Sequence, residues 1–86
     1  MNQGHRKLLE RIVEGRSDSA IRFSDLLTLL DALGFEQRGR GSHRIFSKDG
    51  LREIVTLQPR GNLAKPYQVR QVRKLILRYR LGLGDE

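Results

Sequence analysis

The sequence has no cysteine, and its two imidazoles, the side chains best suited to move a proton near neutral pH, are His5 and His43. His43 stands in Gly39-Arg40-Gly41-Ser42-His43-Arg44-Ile45-Phe46, a glycine-bracketed turn running into a short strand. An unperturbed imidazole titrates near ~6.5, so at neutral pH it can serve as base or acid. RNA carries its own nucleophile, the 2′-hydroxyl, and asks little more of a protein than proton transfer and positive charge beside the phosphate. His43 would take the proton from the 2′-OH or give one to the leaving 5′-oxygen, with a 2′,3′-cyclic phosphate as first product. Full acid–base catalysis wants two groups. With one histidine at hand, water, an arginine or a substrate group must be the second, and turnover should be slow. A lone histidine at a strand start is more often structural; Gly41, which permits close backbone approach, and the flanking Arg40 and Arg44 shift the reading towards chemistry. His5, near the terminus, is read as inert.

No disulfide and no thiolate metal site can form without cysteine. The histidines lie 38 positions apart with no carboxylate at ligand spacing, so neither a metal nor any other cofactor is expected. Seventeen Lys and Arg against ten Asp and Glu leave a net charge of +7, which attracts polyanions. Nucleic acid is the leading partner class. An anionic membrane is the rival, but no apolar run approaches the ~20 residues of a spanning helix and no signal-peptide pattern opens the chain. A soluble, cytoplasmic protein is expected. The 86 residues suffice for one small domain of marginal stability.

Several elements must hold His43 in place. Leu8, Leu9, Ile12 and Val13 form one stripe, predicting a helix over Gln3–Glu14 that Gly15 ends, followed by a polar loop from Arg16 to Ser19. A second helix is expected to take Ser24 as N-cap, bury Leu26, Leu29, Leu30 and Leu33, with Leu27 widening the stripe, and stop at Gly34. The period then changes. Phe35–Arg38, Ser42–Ser47 and Ile54–Leu57 read as an antiparallel meander, turned at Gly39-Arg40-Gly41 and signalled again by Asp49-Gly50. Gln58–Lys65 reads as a loop, and Pro66 opens a last helix to about Arg80. That helix has an apolar face of Val69, Val72, Leu75, Ile76 and Tyr79 and a basic one of Arg70, Arg73, Lys74 and Arg78.

The fold class is therefore α+β: an α-β-β-β-α order resembling the double-stranded-RNA-binding fold, with an extra N-terminal helix. Both main helices are expected on one face of the three-stranded sheet, the other being open for a ligand. Residues 1–20 are taken as a helical extension, 21–81 as the functional domain and 82–86 as a flexible tail, with fraying from Leu81 onward. Strand parity poses a difficulty: His43 and Ile45 share one face, Ser42, Arg44 and Phe46 the other. Either Ile45 or Phe46 lies on an unexpected face, or a bulge near Gly41 resets the register, and His43 is placed at the rim of the sheet.

Arg38, Arg40, Gly41, Ser42, Arg44 and Lys48 on the hairpin, Arg60 and Lys65 in the later loop, and Arg70 and Lys74 on the last helix are the candidate RNA-binding residues. Free N–H groups of Tyr67 and Gln68 could hold a phosphate. Tyr67 is read as packing more readily than as stacking on a base, and Phe23, Phe35 and Phe46 as core.

Leu33-Gly34-Phe35, Arg40-Gly41-Ser42-His43-Arg44-Ile45-Phe46, Pro59-Arg60-Gly61 and Lys65-Pro66-Tyr67-Gln68-Val69-Arg70-Gln71-Val72 together resemble the HicA family of toxin ribonucleases, over about Phe23 to Leu81. The resemblance implies a double-stranded-RNA-binding-like fold, metal-independent endonucleolytic cleavage of mRNA, a catalytic histidine matching His43, and neutralisation by a HicB-type antitoxin. About twenty additional N-terminal residues depart from the compact family pattern. Two other classes compete. A non-catalytic RNA-binding module would bind without cutting, although the lysine cluster usual for such modules is reduced here to Lys65. A DNA- or protein-binding domain would use the Arg70–Arg78 face and be indifferent to His43.

Overall fold

In the computed structural model, which describes residues 1–83, helix α1 spans Gln3–Glu14. The Asn2 side chain caps it by accepting the His5 N–H at 2.8 Å, and Gly15 ends it in the left-handed region at φ 79°. Leu9 and Ile12 are buried among residues of the later elements, so α1 shares their core. A 3-10 turn, Asp18–Ala20, follows.

Helix α2 runs from Phe23 to Ala32, two residues earlier than a Ser24 cap would allow. Arg22 holds the N-cap position with extended backbone and no side-chain cap, and the Phe23 N–H donates to the Asn62 carbonyl at 3.0 Å. A tertiary acceptor thus replaces the local hydroxyl, and Ser24 lies inside the helix, its carbonyl accepting from the Thr28 hydroxyl. Leu26, Leu29 and Leu30 are buried as the stripe requires, while Leu33 and Leu27 pack at the core's margin.

Strands β1 (Glu36–Arg40), β2 (His43–Ser47) and β3 (Val55–Leu57) form an antiparallel sheet with β2 in the centre. Phe35 belongs to the core rather than to β1, and β1 continues through Gly39 to Arg40, so that the β1–β2 connection is only Gly41-Ser42. The Lys48 carbonyl accepts the Leu51 N–H at 3.1 Å, closing the turn that Asp49-Gly50 signals, yet β3 does not begin until Val55 and Ile54 stays outside it.

The expected loop 58–65 is a miniature hairpin. Strands β4 (Pro59–Arg60) and β5 (Leu63–Ala64) pair across Gly61-Asn62, and the Ala64 N–H donates to the Ile21 carbonyl at 2.8 Å. Strands of two residues show no alternation, and their anchor lies about forty residues earlier in the chain. Helix α3 (Pro66–Tyr79) has Pro66 in its first turn and buries Val69, Val72, Leu75 and Ile76. Beyond it Leu81 is buried and Leu83 packs against the core, which corrects the fraying expected from Leu81 onward; residues 84–86 lie outside the described residues.

One polar clamp ties the N-terminal segment to α3. Arg73 Nη1 and Nη2 donate to the two Asp18 carboxylate oxygens at 2.8 and 3.0 Å, and Nη1 also donates to the Ile12 carbonyl at 3.0 Å. Arg73 is therefore structural rather than part of a free basic face. Its hydrogen bonds hold the Asp18 carboxyl below its ordinary value of 3.8, so the unfolded state binds the proton more readily. The stabilisation is full above that value and is lost as pH falls through the lowered folded-state value. Asp18→Asn is expected to lower stability by about 1–2 kcal/mol at pH 7, given the partial solvent exposure of the pair. The deficit should shrink in denaturant titrations run below pH 4; a deficit that stays constant with pH would assign the effect to something other than the ion pair.

Candidate active site

The β1–β2 register runs without interruption from Glu36↔Ser47 to Arg40↔His43, and β2–β3 pairs Arg44↔Leu57, Ile45↔Thr56 and Phe46↔Val55. Directly opposed residues share a face and successive ones alternate. Gln37, Gly39, Arg44, Phe46, Val55 and Leu57 thus look towards the helices, where Phe46, Val55 and Leu57 are fully buried. Arg38, Arg40, His43, Ile45 and Thr56 look the other way, and all five are exposed. The parity difficulty resolves without a bulge: Phe46 takes the core and Ile45, 41% exposed, is the residue on the unexpected face.

His43 opens the central strand on that uncovered face. Arg40 is directly opposite, its Cα about 5 Å away, and Arg38 is the diagonal neighbour at about 7–8 Å. One imidazole and two guanidinium groups therefore converge at the hairpin end, where an extended phosphodiester can lie without a pocket. The carboxylate on the same face, Glu36, is four residues from Arg40 along β1, about 13 Å, too far to exchange a proton with His43. His5 lines a groove between α1 and α2 with Lys7, Arg11, Asp25 and Thr28, so the two histidines lie on separate surfaces.

Two glycines shape the hairpin end differently from the expectation. Gly41 has φ 58°, but a Cβ there would meet nothing within 4 Å; the close approach is at Gly39, φ 106°, where a Cβ would lie 2.2 Å from the His43 carbonyl oxygen. Gly39 is what lets β1 press against the residue carrying the imidazole. Gly39→Ala is expected to shift the hairpin and lower stability by about 2 kcal/mol or more, whereas Gly41→Ala should cost only about 1 kcal/mol of left-handed strain. Thermal melts of the two variants check this, and equal melting temperatures would remove the role given to Gly39.

Other candidates are dispersed. Arg44 is on the helix side of the sheet, its Nε donating to the Gly41 carbonyl at 2.7 Å and its Nη1 to Gln37 Oε1, so it braces the turn. Lys48 lies beyond the far end of β2 with its Nζ over Gly34, at the C-terminal end of α2. Arg60 is exposed on β4 and Lys65 is the N-cap of α3, both beside the sheet. Arg70 and Lys74 are exposed on α3, on the helix side, where the Asp18 carboxyl senses the Arg70 charge. Arg78 pairs with Glu53 at 3.2 Å, and the Tyr79 hydroxyl donates to the same carboxylate at 2.7 Å. That pair of bonds holds the Glu53 carboxyl below its usual range and pushes the Tyr79 hydroxyl up. The continuous basic face expected of α3 thus reduces to Arg70 and Lys74.

Two residues at the start of α3 differ from their reading. Tyr67 is 56% exposed rather than packed. The Gln68 N–H donates to the Lys65 carbonyl at 2.9 Å, so it is not free for a phosphate. The Gln68 side chain, only 2% exposed, donates from Nε2 to the Thr56 carbonyl and accepts the Gln58 N–H at Oε1, each at 3.2 Å. Its importance was available from spacing alone, because 68 stands four before Val72 and eight before Ile76 on the buried stripe.

The architecture and the site define a small basic α+β protein of double-stranded-RNA-binding-like element order with an uncovered sheet face carrying one histidine. Residues 23–77 match the family described as the HicA toxin of bacterial toxin-antitoxin systems. The match covers well over half of the chain, and the chain belongs to that family, whose members are toxins and in general endoribonucleases, with an RNA substrate and a cognate antitoxin. No curated protein and no solved structure matches the chain. Among the described residues no helix is long and apolar enough to cross a membrane.

Proposed function

We propose that this chain is a metal-independent endoribonuclease that cuts mRNA in the cytoplasm, with His43 as the catalytic residue, and that a HicB-type antitoxin neutralises it. What supports the reading is the placement of His43 on the uncovered sheet face beside Arg38 and Arg40, in a chain of the HicA family. The 2′-oxygen attacks phosphorus, the new O2′–P bond forming as the P–O5′ bond breaks. His43 takes the 2′-OH proton or supplies the proton that the leaving 5′-oxygen needs, and water serves the other transfer. Arg38 and Arg40 lie where they can offset the charge gathering on the non-bridging oxygens. Arg60 and Lys65, beside the sheet, extend the positive path for the strand without reading its sequence. Arg44 and Lys48 contribute through the hairpin's shape, and Gly41 and Ser42 by keeping its tip small. Arg70 and Lys74, on the helix side, suit the acidic surface of an antitoxin better than the scissile strand.

The deciding experiment is incubation of purified protein with single-stranded RNA in excess EDTA, followed by analysis of the fragment ends. Fragments with 2′,3′-cyclic phosphate and 5′-hydroxyl ends are expected. Binding without cleavage would leave a basic RNA-binding module instead.

A further inference from the structure

Gln68 does more than fill a core position. Its carboxamide meets the outer edge of β3 as a neighbouring strand would, pairing with the C=O of Thr56 and the N–H of Gln58 on either side of Leu57. The same Nε2 lies 3.4 Å from the Tyr67 hydroxyl oxygen, which accepts from it. A buried amide therefore holds the far end of an exposed aromatic ring. Tyrosine is amphipathic and has only two side-chain torsions, so a ring tied at its hydroxyl loses little entropy when a flat ligand covers it.

The position of this ring follows from the strand count. Arg44 pairs with Leu57, so the next residue on each strand brings Gln58 level with His43. Gln68 binds the Gln58 N–H from the other side, which puts its carboxamide, with the Tyr67 hydroxyl beside it, two interstrand spacings, about 10 Å, from the His43 strand position. One RNA strand crossing the edge of β3 can reach both. Exposed Arg60 on β4 and Lys65 at the N-cap of α3 lie on either side of the β4–β5 turn, between β3 and Tyr67 in the chain, and can hold the RNA's phosphates.

We infer that Tyr67, anchored by Gln68, is a stacking platform for a nucleobase of the RNA strand whose phosphate lies at His43. The inference rests on the RNA substrate of the proposed function, although not on cleavage. Every base has a π-face, so the platform adds affinity without demanding one sequence.

The chain has no tryptophan, so Tyr67→Trp introduces a single reporter. In a His43→Ala background, which removes cleavage during titration, its emission is expected to be quenched by mixed-sequence single-stranded RNA and unchanged by a strand of equal length lacking its bases. Tyr67→Leu should weaken binding of the base-bearing strand about fivefold or more and leave the abasic strand unaffected, while Tyr67→Phe, which keeps the ring and loses its tie to Gln68, should fall between Tyr67→Leu and the parent. Equal quenching by both strands, or parental affinity in Tyr67→Leu, overturns the inference and would place the ring in a protein-docking surface. The two readings fail separately. If the wild-type protein leaves RNA intact but the Tyr67 dependence persists, the nuclease falls and the platform stands; if RNA is cut and Tyr67→Leu binds and cuts like the parent, the reverse holds.

Discussion

His43→Ala is expected to reduce RNA cleavage at least ~100-fold, the lower end of what a positioned general acid or base contributes. Folding should be unaffected. The imidazole is exposed at the start of β2, makes no hydrogen bond to another described residue, and sits where a surface substitution ordinarily changes stability by less than about 0.5 kcal/mol. RNA affinity should change little, because Arg38, Arg40, Arg60 and Lys65 remain. Loss of kcat with retained binding is therefore the signature of proton transfer at this position. Single-turnover cleavage beside a thermal melt makes the measurement. Cleavage at the wild-type rate would remove His43 from the chemistry and leave no other imidazole near the uncovered face, since His5 lines the groove between α1 and α2.

Ile12→Ala is expected to destabilise the protein by about 2–5 kcal/mol, the usual range for emptying a fully buried aliphatic position. Ile12 is completely buried, and its carbonyl accepts from Arg73 on α3, so both its side chain and its backbone are held by the body of the fold. A domain of this size shifts its melting temperature by about 4–8 °C per kcal/mol, so a fall of about 8 °C or more should follow. Lys7→Ala, on the exposed side of the same helix, is the control and should melt like the parent. If Ile12→Ala melts within about 2 °C of the parent, α1 is an appendage that the rest of the chain does not need. The two substitutions separate the roles of the two halves: one empties the chemistry and spares the fold, the other loosens the fold with the chemistry in place.

The helices were legible because an apolar stripe at helical spacing is a local signal. Leu9 and Ile12, Leu26, Leu29 and Leu30, and Val69, Val72 and Ile76 all went where their periodicity put them. Glycine stops were legible for the same reason, as was Pro66 at the start of α3. The strands were legible as a group and blurred at their ends. Phe35 could be read as strand or core, and only the pairing of Arg40 with His43 makes the turn as short as Gly41-Ser42. The β4–β5 hairpin was illegible because its stability comes from the Ile21–Arg22 segment, and no local pattern announces a partner so distant in sequence.

At the site, residue types and spacing by themselves made His43 the imidazole to propose for chemistry, set it where a turn becomes a strand, and put basic residues around it in the chain. Which charges share its surface was decided only in three dimensions. Neighbours in sequence alternate faces in a strand, so Arg44 turns away to brace the turn while Arg38 and Arg40, on the antiparallel partner, arrive beside His43. Arg73 and Arg78 leave the basic face because Asp18 and Glu53, distant in the chain, claim them. Period and composition are properties of a segment, whereas face, register and pairing depend on what the segment meets. The position of His43 at a strand start could therefore be read from the sequence, and the residues that share its face only from the fold.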